Sequence, residues 1–135
     1  RGAFMAKGES IGLNIELPRE QRINRYVRKP LAFHYFFTRK VMLSVSSQAY
    51  IFFPGGYGTL DEMLELITLI QTKKMCQIPI VLVGKKFWTG FFGWAKEAMI
   101  DEKYISPEDL DLFTIVDTAE EAFTVIKDSQ ERMNF

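Results

Sequence analysis

The sequence holds one cysteine, Cys76, and one histidine, His34, in 135 residues. A single cysteine excludes an internal disulfide, which suits a reducing compartment. Following Met75, this thiol reads as a packed apolar side chain rather than a nucleophile. His34 stands among aromatics and reads as a packed, hydrogen-bonded residue. No second ligand beside it suggests a metal site, so it is left out of the catalytic set. Charge of one sign is also missing. Lys plus Arg is 17 and Asp plus Glu is 17, so no overall field draws the chain toward nucleic acid or membranes. No apolar run approaches the roughly 20 residues of a membrane span, and no signal-peptide pattern is visible. The chain begins at Arg1 rather than Met. Internal repeats and low-complexity tracts are absent. A cytoplasmic protein with neither nucleic-acid nor membrane partners is expected.

What is present is a core. Hydrophobic residues make up 47% of the chain, ample for a single domain spanning residues 1–135. Strands are expected at Ser10–Glu16, Leu31–Phe37, Ala49–Phe53, Ile78–Val83 and Leu112–Val116. Helices are expected between them. Arg1 to Lys7 reads as a helix tail closed by Gly8. Thr38 reads as the N-cap of a helix to about Ser47, with Val41, Met42 and Val45 inward. Phe87 to Ile100 carries an amphipathic stripe of Phe87, Phe91, Trp94, Ala95 and Ala98, with Trp88 and Phe92 off it. Ser106-Pro107-Glu108 opens a short helical turn. A last helix runs from Thr118 to about Met133, with a Thr118–Glu121 capping box and Ala122, Val125 and Ile126 inward. Strands alternating with helices predict an α/β fold: a Rossmann-like, doubly wound parallel sheet with helices on both faces. Ligands of such sheets bind at the carboxyl ends of the strands.

The most informative stretch runs from Ala49 to about Lys74. A buried strand, Ala49–Phe53, stops at Pro54. Gly55, Gly56 and Gly58 then predict a tight turn with φ > 0 and close approach of backbone to ligand. Thr59 and Glu62 fit a capping box at the start of a helix whose stripe is Leu60, Met63, Leu64 and Ile67. Strand, glycine loop and helix N-terminus in that order favour an anion, most often phosphate. The loop is neither a P-loop, because no Gly-Lys-[Ser/Thr] ends it, nor GxGxxG. The alternative is a βα turn whose glycines serve packing alone.

The string Pro54 to Glu62, PGGYGTLDE, resembles the PGGxGTxxE signature of the Lonely Guy (LOG) family. Members are similar to cytokinin riboside 5′-monophosphate phosphoribohydrolases and often carry the older label "lysine decarboxylase-like". Arg39-Lys40 and Met42 resemble the family's RKxxM-type segment, with Met42 one place early. The opening RGAFMAKGESIGLNIELPREQ resembles the family's helix-then-strand passage, so the likeness covers nearly the whole chain. In the family an earlier strand and a GGGPG-type phosphate loop precede this helix. Neither is in this sequence, so a fold lacking the first βαβ portion is expected.

The resemblance implies hydrolysis of the N-glycosidic bond of a cytokinin or purine nucleoside 5′-monophosphate, giving free base and ribose 5-phosphate. It implies phosphate binding by Gly55, Gly56, Gly58 and Thr59, and catalysis by Glu62 with Arg39. No cofactor is implied. A pyridoxal-phosphate decarboxylase would need a Schiff-base lysine, which no segment marks. A homodimer or higher homo-oligomer is implied, and an aromatic content of 14% is compatible with a buried contact. Alternatives stay open. Glu62 reads equally as a helix cap, with Asp61 and Glu65 as other carboxylates. Arg39, a cation in a first helical turn, reads as a surface residue or as one with an anionic partner. The basic stretch Pro18–Pro30, with Arg19, Arg22, Arg25, Arg28 and Lys29, reads as a connecting loop or as a lip attracting phosphate. The rival function is a non-catalytic nucleotide or phosphorylated-cofactor carrier of the same fold.

Overall fold

Every strand pairs in parallel, as the alternation of strands with helices requires. The computed structural model of the protein describes residues 1–16 and 23–129. These form two compact units, Arg1–Ser46 and Ser47–Phe135. The α/β class expected from the sequence is the one observed. Among the described residues no helix is long and apolar enough to cross a membrane.

The first unit opens with a short helix, α1 (Gly2–Met5). It ends at Lys7, which takes the left-handed conformation (φ 58°), and not at Gly8. The Gly8 N–H closes the turn on the Ala3 carbonyl at 2.8 Å. Strand β1 (Ile11–Ile15) pairs with β2 (Lys29–Phe33) in a register running from Ile11 opposite Lys29 to Ile15 opposite Phe33. β2 therefore starts and ends earlier than the aromatic run suggested. Pro30 lacks a donor, but β2 has a partner on one side only in this sheet, where proline is tolerated. Tyr35 then turns the chain. Its carbonyl accepts from the Thr38 hydroxyl at 2.8 Å and from the Arg39 N–H at 3.4 Å. Helix α2 (Phe36–Val45) thus starts from Tyr35 as N-cap, and Thr38 lies inside its first turn. Val41, Met42 and Val45, expected inward, are exposed. α2 packs on β1 and β2, and Ser44 is its buried residue.

His34 is exposed rather than packed. Its Nδ1 lies 3.5 Å from Glu16 Oε2, and its ring meets Tyr35 edge-on. Glu9 gathers Arg28 and Lys29, each at 3.3 Å. Arg25 stacks on the Tyr26 ring. Such surface pairs contribute little to stability, but they engage the three described basic residues of this stretch. Arg19 and Arg22 lie outside the described residues.

The second unit is built on β4 (Ile80–Val83), the middle strand of a sheet ordered β3-β4-β5. β3 is Tyr50–Phe52 and β5 is Thr114–Val116. Strand side chains alternate between faces. Ile80 and Leu82 meet Met63, Leu66, Ile70 and Trp88 on one face. Val81 meets Val116 and Ala122 on the other. The first face belongs to α3 (Tyr57–Gln71) and α4 (Lys85–Ala95), the second to α5 (Ala119–Ile126). Both faces are covered, as in a doubly wound sheet. Each large side chain so buried contributes roughly 1.5–3 kcal/mol. β3, expected to be buried on both faces, packs Tyr50 and Phe52 on the α3 side but leaves Ile51 41% exposed on the other face, where α5 lies on β4 and β5.

The stripe on α4 is the expected one only in part: Ala95 is buried and Phe91 packs on the core as expected. Trp88 is fully buried, while Phe87 and Trp94 are exposed. A buried indole needs an acceptor for its N–H. Val83 at the end of β4 supplies it, with Nε1 donating to the carbonyl at 3.0 Å. That bond sets the rotation of the helix, and Phe92 follows inward to stack on Phe113 at 3.9 Å. A single turn of π-helix, Lys96–Ile100, then ends the element. Cys76, expected to be packed, is exposed, and the buried neighbour is Met75.

Two capping boxes fix the loops. The first is Ser106 with Asp109, at a 3₁₀ turn (Pro107–Leu112). Asp109 Oδ2 also accepts from Gln71 Nε2 at 2.8 Å, tying the end of α3 to this turn. Burial pushes the Asp109 carboxyl up, but bonds from Gln71 and from the Ser106 N–H and hydroxyl outweigh it and hold it below its ordinary value. The second box is the expected Thr118–Glu121 pair, at α5. This helix ends at Ile126, and residues 130–135 lie outside the described residues.

Gly84 follows β4 at φ 106°, and a Cβ there would stand 3.2 Å from Pro54 Cγ. Gly84→Ala is therefore expected to cost about 1–3 kcal/mol, read as a lower urea midpoint. An unchanged midpoint would contradict this strain. The lowered Asp109 pKa has its own sign. Its stabilisation is complete above the ordinary carboxylate range and is lost as pH falls through the lowered value. Urea midpoints should fall in acid, and Asp109→Asn should flatten that fall. An equally steep fall in the variant would remove Asp109 from the account.

Candidate functional site

Pro54 ends β3 at the carboxyl edge of the sheet, and the glycine loop follows. Here the helix begins three residues before the expected point. Gly56 is the N-cap in extended conformation (φ −92°, ψ −161°), and Tyr57 is the first helical residue. The Gly56 carbonyl accepts from the N–H groups of Thr59 and Leu60, at 3.0 and 3.2 Å. The expected capping box of Thr59 and Glu62 does not form, because both residues lie inside α3 and the N-cap makes no side-chain bond. Glycine is an acceptable N-cap, so the chain does not need the box.

The expected positive φ in this loop is also absent. Among the described glycines only Gly84 has one. The loop glycines matter for space instead. A Cβ on Gly55 would run into Thr59, with the Thr59 Cβ 2.9 Å away. Gly55 thus lets Thr59 fold back over the loop. At Gly56 and Gly58 an added Cβ would meet nothing within 4 Å. Neither backbone conformation nor packing in this chain requires glycine at those two positions. Bare backbone there leaves the helix N-terminus open to close approach.

Among the described residues three helices begin at this edge, and two are served by side chains. The Lys85 N–H of α4 donates to Asp117 Oδ1 at 2.8 Å. The Lys85 ammonium lies 3.9 Å from Asp117 and 3.7 Å from Glu121. Glu121 also accepts from the N–H groups of Asp117 and Thr118. Those backbone bonds, aided by Lys85, hold its carboxyl below the ordinary value. On α3, by contrast, the first amides, Tyr57 and Gly58, meet no acceptor among the described residues. Two converging amides at the positive end of a helix dipole suit a phosphate.

Glu62 stands one turn beyond Thr59, on the same side of α3, and is half-buried. Asp61 is exposed and Glu65 half-buried. The structure thus brings Gly55, Gly56, Gly58, Thr59 and Glu62 together in the second unit. Arg39 belongs to the first unit, as the fourth residue of α2, and is half-buried. Among the described residues no group of three His, Cys, Asp or Glu side chains is placed to hold a metal ion. Sequence reasoning missed the Asp117–Lys85–Glu121 cluster, whose signal is an acid just before a capping box. It also missed Tyr57, set between two glycines and 92% exposed.

The family model described as "Possible lysine decarboxylase" matches residues 1–126. The chain belongs to this family. It is the family to which the Pro54–Glu62 string pointed, and the Lonely Guy likeness therefore holds. Among its relatives is a cytokinin riboside 5′-monophosphate phosphoribohydrolase of Arabidopsis thaliana, 33% identical over 62% of this chain and 38% of that protein. A second of that name from the same plant is 31% identical over 67% of this chain and 42% of its own length. The protein so named in Mycobacterium tuberculosis is 34% identical over 62% of this chain and 44% of its own. The chain thus spans less than half the length of these curated relatives.

The glycines can be separated by a stability measurement. Gly55→Ala is expected to lower stability by about 1–3 kcal/mol through crowding against Thr59. Gly58→Ala, a helical position with open space, should hold stability or raise it by up to about 1 kcal/mol. The reverse order in thermal or urea melts would contradict the loop geometry.

Proposed function

We propose that this protein hydrolyses the N-glycosidic bond of a nucleoside 5′-monophosphate, releasing free base and ribose 5-phosphate. The single observation that carries the reading is the open N-terminus of α3 within a family whose named relatives are phosphoribohydrolases. In this reading the 5′-phosphate sits on the amides of Tyr57 and Gly58. Gly56 and Gly58 keep the approach clear, Gly55 makes room for Thr59, and the Thr59 hydroxyl adds a hydrogen bond. Breaking the glycosidic bond leaves positive charge on the ribose. A carboxylate beside it stabilises that charge and orients water. Glu62 takes this role. Glu62 stands in the second turn of α3, one turn beyond Thr59, and not at the N-cap. Water gives its hydroxyl to the ribose carbon and its proton to the departing base. Arg39 is the second proposed catalytic residue, on the family resemblance alone.

The finer parts of the reading are a cytokinin or other purine base, a homodimer or larger homo-oligomer, and a cytoplasmic location. Exposed apolar side chains on α2 (Phe36, Phe37) and on α4 (Phe87, Trp94) support self-association. A monomer by light scattering at working concentration would remove that part.

The deciding assay follows free adenine and ribose 5-phosphate from AMP and from an N6-prenylated AMP, using the full-length protein. Glu62→Gln is expected to lower turnover at least about 100-fold with little change in melting temperature. Wild-type turnover in that variant removes Glu62 from catalysis. Binding of AMP without cleavage by the wild type would favour the carrier reading.

A further inference from the structure

We propose that Tyr57 is the base-stacking residue of this site, its ring forming the platform for the planar base of the bound nucleotide. The inference rests on the nucleoside monophosphate reading above and deepens it. Tyr57 is 92% exposed, more than any other large apolar or aromatic side chain among the described residues. Among those residues its ring packs on no other ring and its hydroxyl holds no hydrogen bond. The side chain therefore contributes nothing to the core of this chain. It does not cap the helix either, since α3 starts from the Gly56 carbonyl.

Its surroundings fit a ligand's face. Gly56 and Gly58 flank it, and each is open on the side where a Cβ would stand. A flat group lying on the ring meets no side chain from either neighbour. Tyr57 also contributes one of the two open amides, so ring and anion site share one residue. A base joined through ribose to a phosphate on those amides lies within reach of this side chain. Every nucleobase offers a π face, so such stacking rewards the presence of a base without choosing which one. Selection among bases would then fall to other residues.

Calorimetric titration of the full-length protein with AMP and with ribose 5-phosphate tests this. The proteins compared carry Glu62→Gln, so that AMP is not cleaved during the titration, and are otherwise wild type, Tyr57→Ala or Tyr57→Phe. Tyr57→Ala is expected to raise the Kd for AMP about ten-fold and to leave that for ribose 5-phosphate unchanged. Tyr57→Phe should match wild type for both ligands. Unchanged melting temperatures would show that the fold is not at issue. No loss for AMP in Tyr57→Ala overturns the proposal while the nucleotide reading stands. An equal loss for both ligands, or a loss in Tyr57→Phe, also overturns it, because the hydroxyl would then be acting on phosphate. A wild type that binds neither ligand refutes the nucleotide reading itself, and the stacking role with it.

Discussion

The second unit depends on one strand that has no face in water. β4 buries Ile80 and Leu82 against α3 and α4, and Val81 against α5. A strand enclosed in this way must have its backbone groups paired, since an unpaired buried amide or carbonyl costs more than a hydrogen bond gains. Parallel partners on both sides do most of this. Where the ladder runs out, the Trp88 indole reaches back to the Val83 carbonyl. That bond fixes the position of α4, and the turn at Gly84 that precedes α4 abuts Pro54. The glycine loop is thus positioned by the end of the neighbouring strand as well as by its own. A site made from backbone amides needs such support, because its donors have no side-chain freedom with which to correct a misplaced loop.

Much of this was legible in the residues. The parallel α/β class follows from the alternation of apolar runs with helical stripes. The Thr118–Glu121 box and the turn at Ser106 were read correctly, because capping is local chemistry. The signature Pro54–Glu62 led to the right family. The errors share a cause: they concern choices made by tertiary contacts. Phe87, Phe91, Trp94, Ala95 and Ala98 form a sound helical stripe, and so do Trp88, Phe91, Phe92 and Ala95, which share two of its members. Hydrophobicity alone cannot rank the two, and the acceptor at Val83 decides. Thr38 and Thr59 both looked like N-caps by residue type. In each case the chain had already turned into the helix three residues earlier, at Tyr35 and at Gly56.

The glycine loop shows how a correct motif can carry a wrong local reason. Gly55, Gly56 and Gly58 invite an argument from left-handed backbone, yet Gly84 is the glycine that adopts it. The loop glycines act by what they lack in volume. Gly55 makes room for Thr59, while Gly56 and Gly58 make room for nothing within this chain. Conformational freedom and missing volume are indistinguishable in a sequence, because the same residue supplies both. The early helix start also changes the meaning of Glu62. As a cap it would have been a structural acid, whereas inside the second turn it is a half-buried carboxylate on the Thr59 side of the helix.

The two tryptophans stand in opposite environments. Trp88 is sealed in the core, its indole N–H held by a carbonyl, while Trp94 on the same helix is 57% exposed. Their emission is therefore separable. The buried fluorophore emits to the blue and is shielded from dissolved quenchers such as iodide, while the exposed one emits to the red and is quenched. With no other tryptophan in the chain, the quencher-resistant signal reports the junction of β4 with α4, and the quenchable signal reports whatever comes to cover the outer face of α4.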